Sequence, residues 1–196
     1  AHGLQAMSIG FLIDEEQPMI WRGPMVTQAL NQLLAETRWD DLDYLVIDLP
    51  PGTGDVQLSL SQRIPVSGAV IVTTPQDIAL LDARKGLQMF RRVEVSVLGV
   101  VENMSTHVCG QCGHEEPIFG AGGGARLAQQ YNVELLGHLP LDRRIREQAD
   151  GGNPTVAAEP DSELARRYRD IARKAAARLA YGAAAGTFPT IEVSDD

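Results

Sequence analysis

The sequence predicts an α/β protein: a doubly wound, mostly parallel sheet with helices on its flanks. Short apolar runs alternate with stretches of helical periodicity along almost the whole chain. The run YLVIDL at 44–49 is apolar on both faces, as a central parallel strand must be. The loop directly after it, DLPPGTGD at 48–55, lies where open α/β sheets place their chemistry, at the carboxyl end of a buried strand.

The elements follow in order. AMSIGFLI (6–13) reads as a buried strand, and PMVTQALNQLLAET (24–37) as a helix with Met25, Leu30, Leu33 and Leu34 on one face and Pro24 in its first turn. After the strand at 44–49, GAVIVTT (68–74) is a third. Thr74-Pro75-Gln76-Asp77 then supplies a hydroxyl N-cap, a first-turn proline and an acid for a helix running to about Arg92. SVLGVVEN (96–103) and VELLGHLP (133–140) complete five strands, with the helix GARLAQQY (124–131) between them. A last amphipathic helix over about 161–180 carries the stripe Leu164, Tyr168, Ile171, Ala175 and Leu179. Residues 1–180 are expected to form one domain with a cysteine loop at 104–118, and 181–196 a tail.

Composition narrows the classes. A length of 196 residues suits one domain with a real core, and 44% hydrophobic with 22% charged residues is ordinary for a globular protein. A formal net charge of −9 gives no nucleic-acid-binding balance, and no apolar run approaches a membrane span. The start has no basic n-region, so a secretory signal is not expected. The only two cysteines, Cys109 and Cys112, are spaced C-x-x-C, which points to a reducing cytoplasm and to metal or redox chemistry.

Two motifs carry chemistry. In DLPPGTGD an apolar strand ends in Asp48, the arrangement in which a carboxylate helps hold Mg²⁺ beside a nucleotide. Gly52 and Gly54 let backbone N–H groups approach a γ-phosphate. The plainer alternative is a tight turn with Asp55 as N-cap. In THVCGQCGHEEP, two thiolates three residues apart can face one metal, and a [4Fe–4S] cluster needs four. Zinc is the rival ligand, with Cys₄ from two chains or His107 and His114 completing a set within one. A redox pair fits less well, because such a pair opens a helix and here Glu115, Glu116 and Pro117 follow. The stretch GAGGGA (120–125) reads as flexible lead-in to a helix, since no Lys-Ser/Thr follows it.

DLPPGTGD, IVTTPQDIALLDARKGLQMF, VLGVVENMS, the C-x-x-C-G, IFGAGGGARLA and LLGHLPLD, in this order, resemble the Mrp/ApbC-type iron–sulfur cluster carrier ATPases of the MinD/nitrogenase-iron-protein group of P-loop NTPases. The resemblance runs from about Ser8 to Pro160, and IGFL and WRGPM fit it as well. It implies an ATP-dependent carrier that binds a [4Fe–4S] cluster at a homodimer interface through Cys109 and Cys112, with cluster scaffold proteins and apo iron–sulfur proteins as partners. It also implies ATP and Mg²⁺ at the strand ends, with Asp48 near the metal, Gly52 sensing the γ-phosphate, and Asn103 and Pro140 near the base. Arg22 matches without a role. The family's lysine-bearing phosphate loop has no counterpart, since Lys85 and Lys174 are the only lysines and neither fits G-x-x-x-x-G-K-[ST]. The chain thus looks like the C-terminal two-thirds of such a carrier, a P-loop fold without its first strand, and ATP turnover by this polypeptide alone is not expected. The alternatives are a MinD-like positioning ATPase, for which the arginines of the last helix are suggestive, and a zinc-stapled dimerisation module.

Overall fold

The computed structural model describes residues 2–11, 23–49, 52, 54, 57–58 and 64–185, and the chain divides into two compact units, 1–66 and 67–196. Arg22 and the tail from residue 186 lie outside the described residues.

In the first unit, helix α1 spans Gly23–Ala35. Leu30, Leu33 and Leu34 are half-buried as the periodicity requires, while Met25 is exposed. The helix end is closed by side chains: Thr37 Oγ1 donates to the Leu33 carbonyl at 2.5 Å and Trp39 Nε1 to the Leu34 carbonyl at 3.2 Å. The two strands expected here do not form. Ile9–Phe11 is a single 3₁₀ turn, with the rest of the 6–13 run either unpaired or, at 12–13, outside the described residues. The run 44–49 has no strand pairing, and Val46 is 90% exposed. Apolar sequence supplies the faces of a strand but not its hydrogen bonds, which need a neighbouring strand; among the described residues these runs have none.

The second unit is built on a parallel sheet of order β1-β2-β5: β1 Ala69–Thr73, β2 Val97–Glu102 and β5 Leu135–His138. The central strand β2 is the most deeply covered, with Val100 fully buried and Val101 5% exposed. Alternation sends these two side chains to opposite faces. Val101, Leu136 and Leu139 meet Tyr168, Ile171 and Ala175 of the long helix α6, Glu163–Ala185, so the predicted stripe does pack on the sheet. On the opposite face lie α2, Asp77–Arg92, which buries Leu80, Leu87 and Phe90, and α3, Gly123–Gln130. Helices on both faces make the doubly wound arrangement that the alternation predicted.

Local detail departs from expectation in three places. The α2 N-cap is Gln76, without a side-chain cap, rather than Thr74; Pro75 is buried in the turn before it. The GAGGGA stretch is packed rather than loose. A Cβ on Gly124 would stand 2.9 Å from Glu102 Cβ, and the Gly124 N–H instead donates to the buried Glu102 Oε2 at 2.5 Å. Glu102 thereby caps the α3 N-terminus with a carboxylate, where helix N–H groups favour negative charge. Two short helices, α4 Arg143–Asp150 and α5 Thr155–Ala158, follow β5 and were not anticipated. With Ile145 as its single large apolar residue, α4 has no stripe to read; its signal was Asp142, which accepts from the Arg144 N–H at 2.8 Å as N-cap.

Candidate metal centre

The chain leaving β2 forms a two-stranded antiparallel hairpin, β3 His107–Val108 and β4 Glu115–Glu116, with the cysteines in its turn. Two backbone bonds close that turn: Cys109 N to the His114 carbonyl at 2.9 Å, and Gly113 N to the Cys109 carbonyl at 2.9 Å. Gly113 sits at φ +71°, a left-handed turn that glycine adopts without a Cβ clash. Both cysteines are free thiols; Cys112 is exposed and Cys109 partly so. The backbone N–H of Cys112, then that of Gln111, then the Cys112 thiol hydrogen-bond to Cys109 and hold its thiol below the ordinary value for cysteine. A sulfur already surrounded by donors is disposed to be a thiolate, the form that binds metal.

The histidines fall away from the sulfurs' chemistry. His107 is at the hairpin base, its Nδ1 3.4 Å from the Leu141 carbonyl, and His114 is exposed on the turn. Among the described residues no three His, Cys, Asp or Glu side chains converge as a metal site.

The hairpin base is stitched to the end of β5. Leu139 N donates to the Glu102 carbonyl at 2.9 Å, Ser105 N to the Leu139 carbonyl at 3.0 Å, and Leu141 N to the Thr106 carbonyl at 2.7 Å. Ser105 Oγ donates to the same Leu139 carbonyl at 3.1 Å. Asn103 and Pro140 therefore flank one region of this ladder, at the carboxyl ends of β2 and β5. Asn103 Oδ1 accepts from the Met104 N–H at 2.9 Å, so it does serve as a local cap, and Pro140 is buried. Asp48 and Gly52 belong to the first unit; both are exposed, and Gly52 has φ +103°. Sequence reasoning missed Ser105, whose role depends on a backbone partner 34 residues away that no local pattern announces, and Asp142, whose local N-cap signal was there to be read.

A groove of about 830 Å³ runs along the hairpin base, lined by Thr106, His107, Pro140, Leu141, Arg144 and Arg167 among others. Its cations are already engaged: Arg144 lies 2.7 Å from Asp142 and 3.4 Å from Glu159, and Arg167 lies 2.6 Å from Glu163.

The profile of the family described as "ParA: NUBPL iron-transfer P-loop NTPase" matches residues 1–176. The chain belongs to this NUBPL-type iron-transfer family of P-loop NTPases. Relatives in the family include the iron–sulfur cluster carrier protein of Haemophilus influenzae, 62% identical over 179 residues, which are 91% of this chain and 48% of that protein. The iron–sulfur cluster transfer protein NUBPL of Mus musculus is 54% identical over 178 residues, covering 91% of this chain and 56% of that one. The chain thus spans about half the length of these NUBPL-type relatives. Among solved structures, the nucleotide-binding protein of Archaeoglobus fulgidus in complex with ADP superposes with a TM-score of 0.62 at 35% identity, over 71% of this chain and 56% of that one. The cell-division ATPase MinD of Pyrococcus furiosus, at 23% identity, shares the fold with a TM-score of 0.54 over 78% of this chain and 57% of its own. The fold class read from the sequence is thereby the family's own. No described helix is long and apolar enough to cross a membrane.

Proposed function

We propose that this protein carries a [4Fe–4S] cluster as cargo, held between two copies that each contribute Cys109 and Cys112, and delivers it to apo iron–sulfur proteins. The observation that carries the reading is the hairpin turn, which presents two accessible thiols, one already surrounded by hydrogen-bond donors. Two sulfurs are half of a four-thiolate set, and no third ligand converges on them among the described residues, so a second copy is the economical source of the other half. The naming of relatives at 54–62% identity as cluster carrier or transfer proteins supports the same cargo.

Exposure suits release. An acceptor's thiolates can approach an edge of the cluster and displace Cys112 before Cys109, so the cargo changes hands by ligand exchange without being rebuilt. Zn²⁺ would fit the same four sulfurs and is the natural competitor during purification.

For the nucleotide, Asp48 is proposed beside Mg²⁺, Gly52 at the γ-phosphate, and Asn103 and Pro140 at the base. The ADP complex of the Archaeoglobus relative supports a nucleotide role for the family. The Asn103 amide keeps its NH₂ group and a second oxygen lone pair for a base edge after capping Met104.

Anaerobic reconstitution with iron and sulfide tests the reading. The wild type is expected to develop the broad visible absorption of a [4Fe–4S] centre at two iron atoms per chain. Cys109→Ser and Cys112→Ser should each abolish it, and a bleached wild type would overturn the proposal.

A further inference from the structure

The cysteine hairpin is the continuation of the central strand β2 beyond an irregularity, and the left-handed residue of that irregularity carries a side-chain cap. In a regular parallel ladder, one residue's N–H and C=O reach residues two apart on the neighbouring strand. Leu139 reaches residues three apart, Glu102 and Ser105, so one extra residue is inserted at Asn103–Met104. Asn103 still donates its N–H to the Thr73 carbonyl at 2.7 Å and so remains in the sheet. Met104 absorbs the insertion in the left-handed region at φ +54°, a conformation costly for a residue with a Cβ. On that turn Asn103 Oδ1 accepts from the Met104 N–H at 2.9 Å.

A second residue is inserted at the next step: in a regular ladder the residue that donates to Leu139 would also accept from Leu141, yet Ser105 donates to Leu139 and Thr106 accepts from Leu141. Two insertions restore the alternation, so from Thr106 onward the side chains keep the facing of β2 while the backbone is displaced by two residues along its neighbour. Downstream, Ser105 is 5% exposed and fixed by two bonds to Leu139, Leu141 N holds Thr106, and His107 bridges to Leu141. Ser105, Thr106 and His107 are thus anchored in succession to the chain leaving β5, and their register along it follows from the Met104 turn.

We infer that Asn103 is a positioning residue for the metal centre: by capping the left-handed Met104 turn, it fixes the register and pitch at which the hairpin presents Cys109 and Cys112 to their counterparts on a second copy. This role is separate from any contact of its amide with a nucleotide base, and it rests on the reading that the two cysteines hold the cluster.

Three variants, reconstituted without nucleotide and challenged with an iron chelator, separate the roles. Asn103→Ala removes the cap and is expected to shorten the cluster's half-life roughly 5- to 10-fold, the order of a left-handed residue losing its support. Asn103→Asp keeps an acceptor for the Met104 N–H and should hold the cluster about as long as the wild type. The double variant Asn103→Ala/Met104→Gly needs no cap, since glycine takes φ > 0 freely, and should recover most of the loss. In cluster-free protein, the cross-strand nuclear Overhauser contact between Thr106 and Leu141 should weaken in Asn103→Ala and return in the double variant. Equal half-lives for Asn103→Ala and wild type, or failure of Met104→Gly to rescue, would overturn the inference. A wild type that takes up no cluster sinks the cargo reading instead, and the Overhauser contact still decides whether Asn103 positions the hairpin.

Discussion

At Gly124 a single missing methyl group decides whether a helix can reach its cap. The helix start stands so close to β2 that a Cβ there would press on Glu102 Cβ at 2.9 Å and Oε2 at 3.2 Å. Gly124→Ala is therefore expected to lower stability by about 1–3 kcal/mol, through overpacking and loss of the Glu102 bond together. Gly86, inside α2 with open space around its missing Cβ, is the control. Gly86→Ala should raise stability by about 0.5–1 kcal/mol, because only the helix preference of alanine changes. Chemical denaturation of both variants checks the pair, and equal shifts would contradict the packing argument. The sequence displayed both glycines, but their difference was not legible: GAGGGA looked loose because what crowds it arrives from 22 positions upstream in the chain. The turn that carries Cys109 and Cys112 was legible for the opposite reason, since it closes through its own backbone hydrogen bonds.

Among the elements, those whose stabilising neighbours lie on one sheet were read well. β1, β2, β5, α2, α3 and α6 all lie within a few residues of their expected bounds, because burial imposes period 2 or 3.6 on them. The runs at 6–13 and 44–49 carried the same apolar signal and form no strand among the described residues, because pairing is not encoded in the run itself. Helix α4 shows the converse: it has little apolar periodicity and is set by its cap. Asp142 takes the Arg144 N–H at 2.8 Å and the Arg144 guanidinium at 2.7 Å. The Arg144 side chain above all holds the Asp142 carboxyl below its ordinary value of 3.8. A carboxylate with a depressed folded value stabilises fully above its unfolded value and loses that contribution as pH falls through the folded one. Asp142→Ala should thus cost about 1 kcal/mol near neutral pH. Wild type and variant should converge as the pH is taken below 3.8, a comparison that unfolding curves at several pH values would check; a constant gap would refute the ion-pair origin.

For the whole molecule, charge and the proposed shared cluster act in opposite directions. A chain with a formal net charge of −9 repels its copy, and the repulsion is screened over about 8 Å at physiological ionic strength. Pairing through shared sulfurs must overcome that repulsion, so cluster-loaded protein is expected at twice the mass of cluster-free protein. The paired fraction should rise with added salt, while Cys109→Ser should stay single under both conditions. Light scattering coupled to anaerobic size exclusion checks this, and a loaded monomer would end the two-copy proposal. The division into two units and the absence of pairing at 44–49 among the described residues were not foreseeable from periodicity, which reports faces rather than neighbours.

The backbone that runs from Val97 in the core to an exposed thiol has a consequence for how the protein breathes. Its root, around Val100, opens only when the second unit unfolds, whereas the turn from Cys109 to His114 is closed by two backbone bonds. Hydrogen-exchange protection should therefore decline steadily along a single stretch of backbone. The tip can open many times over while its foundation stays closed.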